Sequence, residues 1–201
     1  ALSALIEGGQ LEPWIVVAVD NIGATRAADY NPTGLDVRGS SGRGGKYLAF
    51  LCEELAPAIE ARYRADPRPE RRALGGSSFG GNITLLALLE RPGFFGRALV
   101  ESPALWVGDG VLIERLKKHR GARPERLFIG MGGREYGDAE RDRALVARAR
   151  ELAAALGVSE AEPGAQKRLW IEAEGAHNET TWARRLPEAL RTVLGPLPER
   201  R

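Results

Sequence analysis

The chain of 201 residues has one cysteine, two histidines far apart and no long apolar run. Each scarcity removes a class of protein. Cys52 cannot close an internal disulfide, and inside the helical stretch Tyr47 to Leu55 it reads as a buried structural thiol. His119 and His177, without paired cysteines, cannot supply the usual zinc ligand set, so no metal and no cofactor is expected. No apolar run approaches the roughly 20 residues that cross a bilayer, and the N-terminus lacks a signal-peptide pattern. A soluble, cytoplasmic protein without a membrane partner is expected, secretion staying open if a leader once preceded Ala1. Basic runs are also missing. Lys and Arg number 29 against 27 Asp and Glu, for a net charge of +2, and no basic strand is studded with aromatics, which excludes nucleic acid as a partner. The densest cluster, Lys117 to Arg120, reads as the basic C-terminal end of a helix, where cations suit the macrodipole.

What is present, 43% hydrophobic and 28% charged residues, is the profile of one globular domain over residues 1–201. Short apolar runs alternate with helix-period segments, which implies an α/β protein with a mostly parallel sheet flanked by helices. The expected strands are Trp14 to Val19, Arg72 to Gly75, Arg97 to Val100, Arg126 to Gly130 and Arg168 to Ile171. Leu48, Leu51, Leu55 and Ile59 share one face of the first expected helix. Ile83, Leu86 and Leu89, or Leu85 and Leu88, serve the second; Leu145, Ala149, Leu152 and Leu156 serve a later one. Thr181 to Leu194 closes the chain, with Pro187 implying a kink or break.

Residues 31–45, rich in Gly, Ser and Pro, read as one mobile surface loop. Its segment GSSGRGGK fails as a phosphate-binding loop, because Ser40 stands where the first glycine belongs and Tyr47 follows the lysine.

The stretch GGSSFGG, residues 75–81, carries more chemistry. Gly76-Ser-Ser-Phe-Gly80 fits G-x-S-x-G with Ser78 in the central place, a strand before it and a helix after it. A sharp strand-to-helix turn strains the serine and brings backbones together, so glycines are expected on both sides. The Phe79 amide would then face the reacting carbonyl oxygen as an oxyanion donor. A serine needs a base, and in a fold with this elbow the chain order is Ser, acid, His. His177 follows the last expected strand and fills that place. Glu135 is the preferred acid over Asp138, being nearer the end of the strand Arg126 to Gly130. His119 is left to the charged helix end. Trp106 is read either as a wall of the acyl or alcohol pocket or as an ordinary core or surface aromatic.

GGSSFGG, Glu101-Ser-Pro-Ala-Leu-Trp106, Gly132-Gly-Arg-Glu135, Gly175-Ala-His-Asn178 and the stretch from Trp182 to Leu190 together resemble an esterase family of α/β-hydrolases. That family includes esterase D (S-formylglutathione hydrolase), feruloyl esterases, enterochelin esterases and mycolyltransferases. The resemblance runs from Trp14 to Leu194. It implies an α/β-hydrolase fold and a serine carboxylic-ester hydrolase that works through an acyl-enzyme on a small-molecule ester. Acyl transfer of the mycolyltransferase type and a non-catalytic binding module are the alternatives, and assembly with copies of itself stays open. The family places a strand and a His-Gly type loop ahead of the part that begins here, so the first strands are expected to be missing and the domain N-terminally incomplete. A sheet with that place empty would leave backbone groups unpaired. An upstream segment, a second chain, or a shift of Trp14 to Val19 onto Arg72 to Gly75 would each resolve this. In the last case the loop Asp20-Asn21-Ile22 would offer a second oxyanion amide, with Asn21 beside the substrate.

Overall fold

The computed structural model describes residues 1–21 and 23–196. The chain opens with α1 (Leu2–Glu7) and α2 (Arg26–Asp29), then the antiparallel hairpin β1 (Asp36–Val37) and β2 (Ser40–Ser41). A helical rod follows, made of α3 (Gly44–Ala49), a π-helical stretch Phe50–Leu55 and α4 (Ala56–Arg62). The remainder alternates strictly: β3 (Ala73–Ser77), α5 (Phe79–Glu90), β4 (Arg97–Glu101), α6 (Val111–Lys118), β5 (Arg126–Gly132), α7 (Ala139–Leu156), β6 (Lys167–Glu172) and α8 (Glu179–Leu194).

Strands β3 to β6 form a parallel sheet in chain order. Ser77 stands opposite Glu101, Glu101 opposite Gly130 and Gly132 opposite Glu172, so the carboxyl ends align and the loops after them gather at one edge. β5 is buried at every position, as a central parallel strand covered on both faces must be. Its side chains alternate: Leu127 and Ile129 pack with α5, α6 and α7, while Phe128 packs with α8 and with Leu5 and Leu11.

Four expected strands and the helices between them are present. In α5 both alternative faces are buried, Ile83 and Leu86 together with Leu85 and Leu88, because the helix is apolar all round. The π stretch precedes Pro57, which has no N–H to donate to the Glu53 carbonyl, and the wider turn accommodates its ring. Pro187 does not break α8, which runs on through it. The proline leaves the Ala183 carbonyl without its helical donor, and Ala183 is exposed to water that can replace it.

The fifth expected strand is a correction. Residues 14–19 form no strand, and the side of β3 away from β4 has no partner among the described residues. A groove of about 890 Å³ separates the two, lined by Trp14 and Val16 on one side, Leu74 and Gly76 on the other, with Leu55 and Leu186 from the helices. Apolar alternation makes a strand only where a backbone partner is within reach. Instead Trp14 packs under Arg97, with Cζ 5.0 Å from the ring centroid, and Val16 is left 69% exposed. Of the three ways to fill the place beside β3, the shift of this segment onto Arg72 to Gly75 does not occur.

Residues 31–45 also differ from expectation. They are packed, with Asn31, Val37 and Gly44 buried and Val37 part of the main core. The Asn82 side-chain amide donates to Asn31 Oδ1 at 2.8 Å, tying the loop to α5. Among the described residues no helix is long and apolar enough to cross a membrane.

Candidate active site

Ser78 sits at the N-terminus of α5, directly after β3, with φ +58° and ψ −121°. An L-residue with positive φ is strained, and here the strain turns the side chain out between strand and helix. The neighbouring glycines contribute unequally. A Cβ on Gly76 would meet Gly80 Cα at 2.8 Å, and one on Gly81 would meet Pro103 Cβ at 3.0 Å, whereas one on Gly80 would touch nothing within 4 Å. Close backbone approach therefore requires Gly76 before Ser78 and Gly81 after it, as expected, whereas Gly80 has room for a side chain. Phe79 is the first helical residue, so its amide has no acceptor within the helix and follows Ser78 directly.

The loops after β5 and β6 bring the other two groups. His177 Nε2 lies 3.0 Å from Ser78 Oγ, and His177 Nδ1 lies 2.5 Å from Glu135 Oε2. With Nδ1–H donating to the carboxylate, Nε2 is free to accept the serine proton. The loops are laced together: Gly133 N–H donates to the Glu172 carbonyl, Arg134 N–H to Gly175 and His177 N–H to Glu135. A Cβ on Gly132 would meet the Gly175 carbonyl at 2.3 Å and one on Gly133 the Ala173 carbonyl at 2.3 Å, so both must be glycine. The imidazole is sandwiched by Tyr136, stacked at 5.4 Å, and Trp182, edge-on at 5.1 Å. Asn178 accepts from Thr181 N–H, capping α8 and fixing where the histidine loop ends.

Asp138 is elsewhere. Its carboxylate accepts from Arg141 N–H at 2.8 Å and caps α7. Trp106 packs at 6.0 Å against Phe79, the residue after Ser78. Asn21 is not brought to Ser78. It borders an exposed depression with Tyr30, Tyr47 and Phe50, and Ile22 lies outside the described residues. His119 stays at the end of α6, where its carbonyl accepts from Arg123.

Beneath the triad is a buried network that sequence reasoning did not single out. Ser102 Oγ lies 2.7 Å from Glu135 Oε1, and Gly132 N–H donates to the same oxygen at 2.5 Å. Arg185, fully buried, donates through Nη2 and Nε to Glu101, through Nη2 to Ser102 at 3.2 Å, and through Nη1 to Glu172 at 2.8 Å. Room for the Glu101 carboxylate exists only because residue 130 is glycine, whose Cβ would lie 2.5 Å from it. Burial pushes Glu135 upward, but the bonds from His177, Ser102 and Gly132 outweigh it and hold the carboxyl below the usual range. Glu101 moves the other way. Its burial dominates, and the Arg185 pair offsets only part of the rise. A signal existed in the sequence: Arg185 shares a helix face with Thr181, Ala189 and Thr192, so its charge falls on the core side.

A profile of the family described as "Putative esterase" matches residues 1–193. The chain belongs to this esterase family. Iron(III) enterobactin esterase of Escherichia coli K12 is 28% identical over 203 residues, covering 98% of the chain and 45% of that protein. The chain thus spans less than half the length of that relative. Enterochelin esterase of Shigella flexneri superposes with a TM-score of 0.69 at 25% identity, covering 94% of the chain and 45% of its own length. The BES protein of Bacillus cereus gives 0.68 at 21% identity, with coverages of 94% and 73%. The esterase sheet and elbow are thus those of an α/β-hydrolase-type fold.

Proposed function

We propose that this member of the esterase family is a serine carboxylic-ester hydrolase acting on a small-molecule ester. The observation that carries the reading is the hydrogen-bonded chain from Ser78 through His177 to Glu135 at a strained elbow. Ser78 Oγ attacks the acyl carbon as its proton passes to His177 Nε2. Glu135 holds the tautomer and supports the imidazolium without taking the proton. Phe79 N–H receives the charge that develops on the carbonyl oxygen. His177 then protonates the departing alkoxide, leaving an acyl group on Ser78, and a water activated by the same nitrogen releases the acid. Trp106 walls the pocket on the Phe79 side. In this reading the chain contributes a single esterase domain, and the reaction needs no cofactor.

Mass spectrometry after a fluorophosphonate tests this directly. The adduct belongs on Ser78, and Ser78→Ala abolishes both adduct and ester hydrolysis, while Ser77→Ala keeps substantial activity. An unlabelled Ser78 in folded protein favours the non-catalytic module instead.

A further inference from the structure

Two guanidinium groups converge on the ring that follows the nucleophile. Arg26 Cζ lies 5.5 Å from the Phe79 centroid and 5.5 Å from that of Tyr30. Arg38 Cζ lies 5.4 Å from the Phe79 centroid and 5.8 Å from that of Trp106. The two cations are therefore no more than about 11 Å apart, on the order of the screening length in dilute salt. Arg26 also donates to the Ser77 carbonyl at 3.3 Å, one residue before the nucleophile.

Neither group has a carboxylate partner among the described residues, although other arginines around them do. Arg43 pairs with Asp29 at 2.5 Å, and Arg148 pairs with Asp109. The acids on the same segments are engaged elsewhere: Asp29 takes Thr25 Oγ1 and Arg43, and Asp36 takes the Gly39 amide. Both charges therefore add to a positive potential beside the Phe79 ring, which favours an anion there. Arg26 spends one N–H on the Ser77 carbonyl, and a guanidinium carries five N–H donors, so both side chains keep donors that can receive a pair of anionic oxygens.

The backbone of Arg38 points the same way. Arg38 and Gly39 are the two turn residues of the β1–β2 hairpin, with φ +55° and +75°. Such a turn favours Asn-Gly, and an arginine at its first place is strained. Val37 and the Gly42 N–H bond to the Leu35 carbonyl anchor the hairpin, so the strained residue is held over Phe79 and Trp106. Strain retained at a side chain held over the ring next to Ser78 points to a role for that side chain in binding.

We infer that Arg26 and Arg38 form an anion-recognising wall of the ester site, and that the preferred substrate carries a carboxylate or comparable anionic oxygen group on the part lying against Phe79 and Trp106. This rests on Ser78 being the nucleophile of an ester hydrolase. The wall contacts a group remote from the reacting carbonyl and binds it equally before and during reaction, so its effect falls on KM.

The test compares 4-nitrophenyl hydrogen adipate with 4-nitrophenyl methyl adipate, which differ in one negative charge. The wild-type protein is expected to favour the anionic ester at least tenfold in kcat/KM, through KM, with the preference shrinking as salt rises. Arg26→Gln and Arg38→Gly each bring the ratio toward one, Arg38→Glu inverts it, and the control Arg43→Gln leaves the ratio as it was. Arg38→Gly also raises the melting temperature, since glycine relieves the positive φ. Equal wild-type kcat/KM for the two esters, or a ratio unmoved by the Arg38 variants, overturns the inference. Should neither ester be turned over, the hydrolase reading itself fails, and quenching of tryptophan fluorescence by monomethyl adipate against dimethyl adipate then decides the wall separately. Tighter anion binding lost in Arg38→Gly supports it, and equal binding overturns it.

Discussion

The hydroxyl of Ser102 lies 2.7 Å from Glu135 Oε1 and accepts from the guanidinium of the fully buried Arg185 at 3.2 Å. A hydroxyl has one proton, and the shorter contact assigns it to Glu135 rather than to Glu101 at 3.2 Å. Ser102 thus stands between a buried cation and the carboxylate that holds His177. It pays for that place with a φ of +40°.

Removing this hydroxyl should weaken catalysis without unfolding the protein. Ser102→Ala is expected to lower kcat about tenfold, in line with a hydrogen bond to a charged group worth roughly 1.5 kcal/mol. In a Glu135→Gln background the same change should cost almost nothing more, because the two act on one imidazole. Steady-state kinetics on the four proteins checks it, and independent, multiplicative losses would contradict it.

Arg185 answers to a different measurement. Replacing it with Met strands the Glu101 carboxylate in the core, so urea unfolding should show a loss of about 3 to 5 kcal/mol. Glu101→Gln together with Arg185→Met should recover part of that loss, since neither charge of this pair then remains.

The two acids of the loop after β5 separate by their partners. Glu135→Gln should reduce kcat by several orders of magnitude, whereas Asp138→Asn keeps a capping oxygen for α7 and should change it less than threefold. The reverse ranking would move the role to Asp138.

Glu135 also sets a pH dependence of stability. Its hydrogen bonds hold the folded value below the unfolded one of about 4.3, so its ionised form contributes stability above that pH and loses it as pH falls through the folded value. The unfolding free-energy difference between wild type and Glu135→Gln should be greatest near neutrality and shrink below about pH 4. A difference that widens in acid would contradict the assignment.

At the elbow, Gly76→Ala should destroy activity and destabilise the fold, because its Cβ has only the Gly80 backbone to meet. Gly80→Ala should fold at least as well as wild type, gaining up to about 1 kcal/mol of helix propensity. Thermal melts of both variants distinguish required from incidental glycine in the motif.

The sequence by itself determined the local features. Four strands are apolar through the sheet interior, the helices between them carry their periodic faces, and Ser78, Glu135 and His177 each follow a strand in the order the elbow demands. These are readable because periodicity, glycine placement and chain order are properties of neighbouring residues. Tertiary structure decided the rest. Residues 14–19 have the alternation of a strand but no backbone within reach, and pairing cannot be read from one segment. Asp138 and Glu135 stand three residues apart in the same loop, and only folding shows that one caps α7 while the other meets His177. Arg185 lies 84 residues from Glu101, and Arg38 lies 41 from Phe79. A charge's partner, or the lack of one, depends on which distant segments the sheet and hairpin bring together.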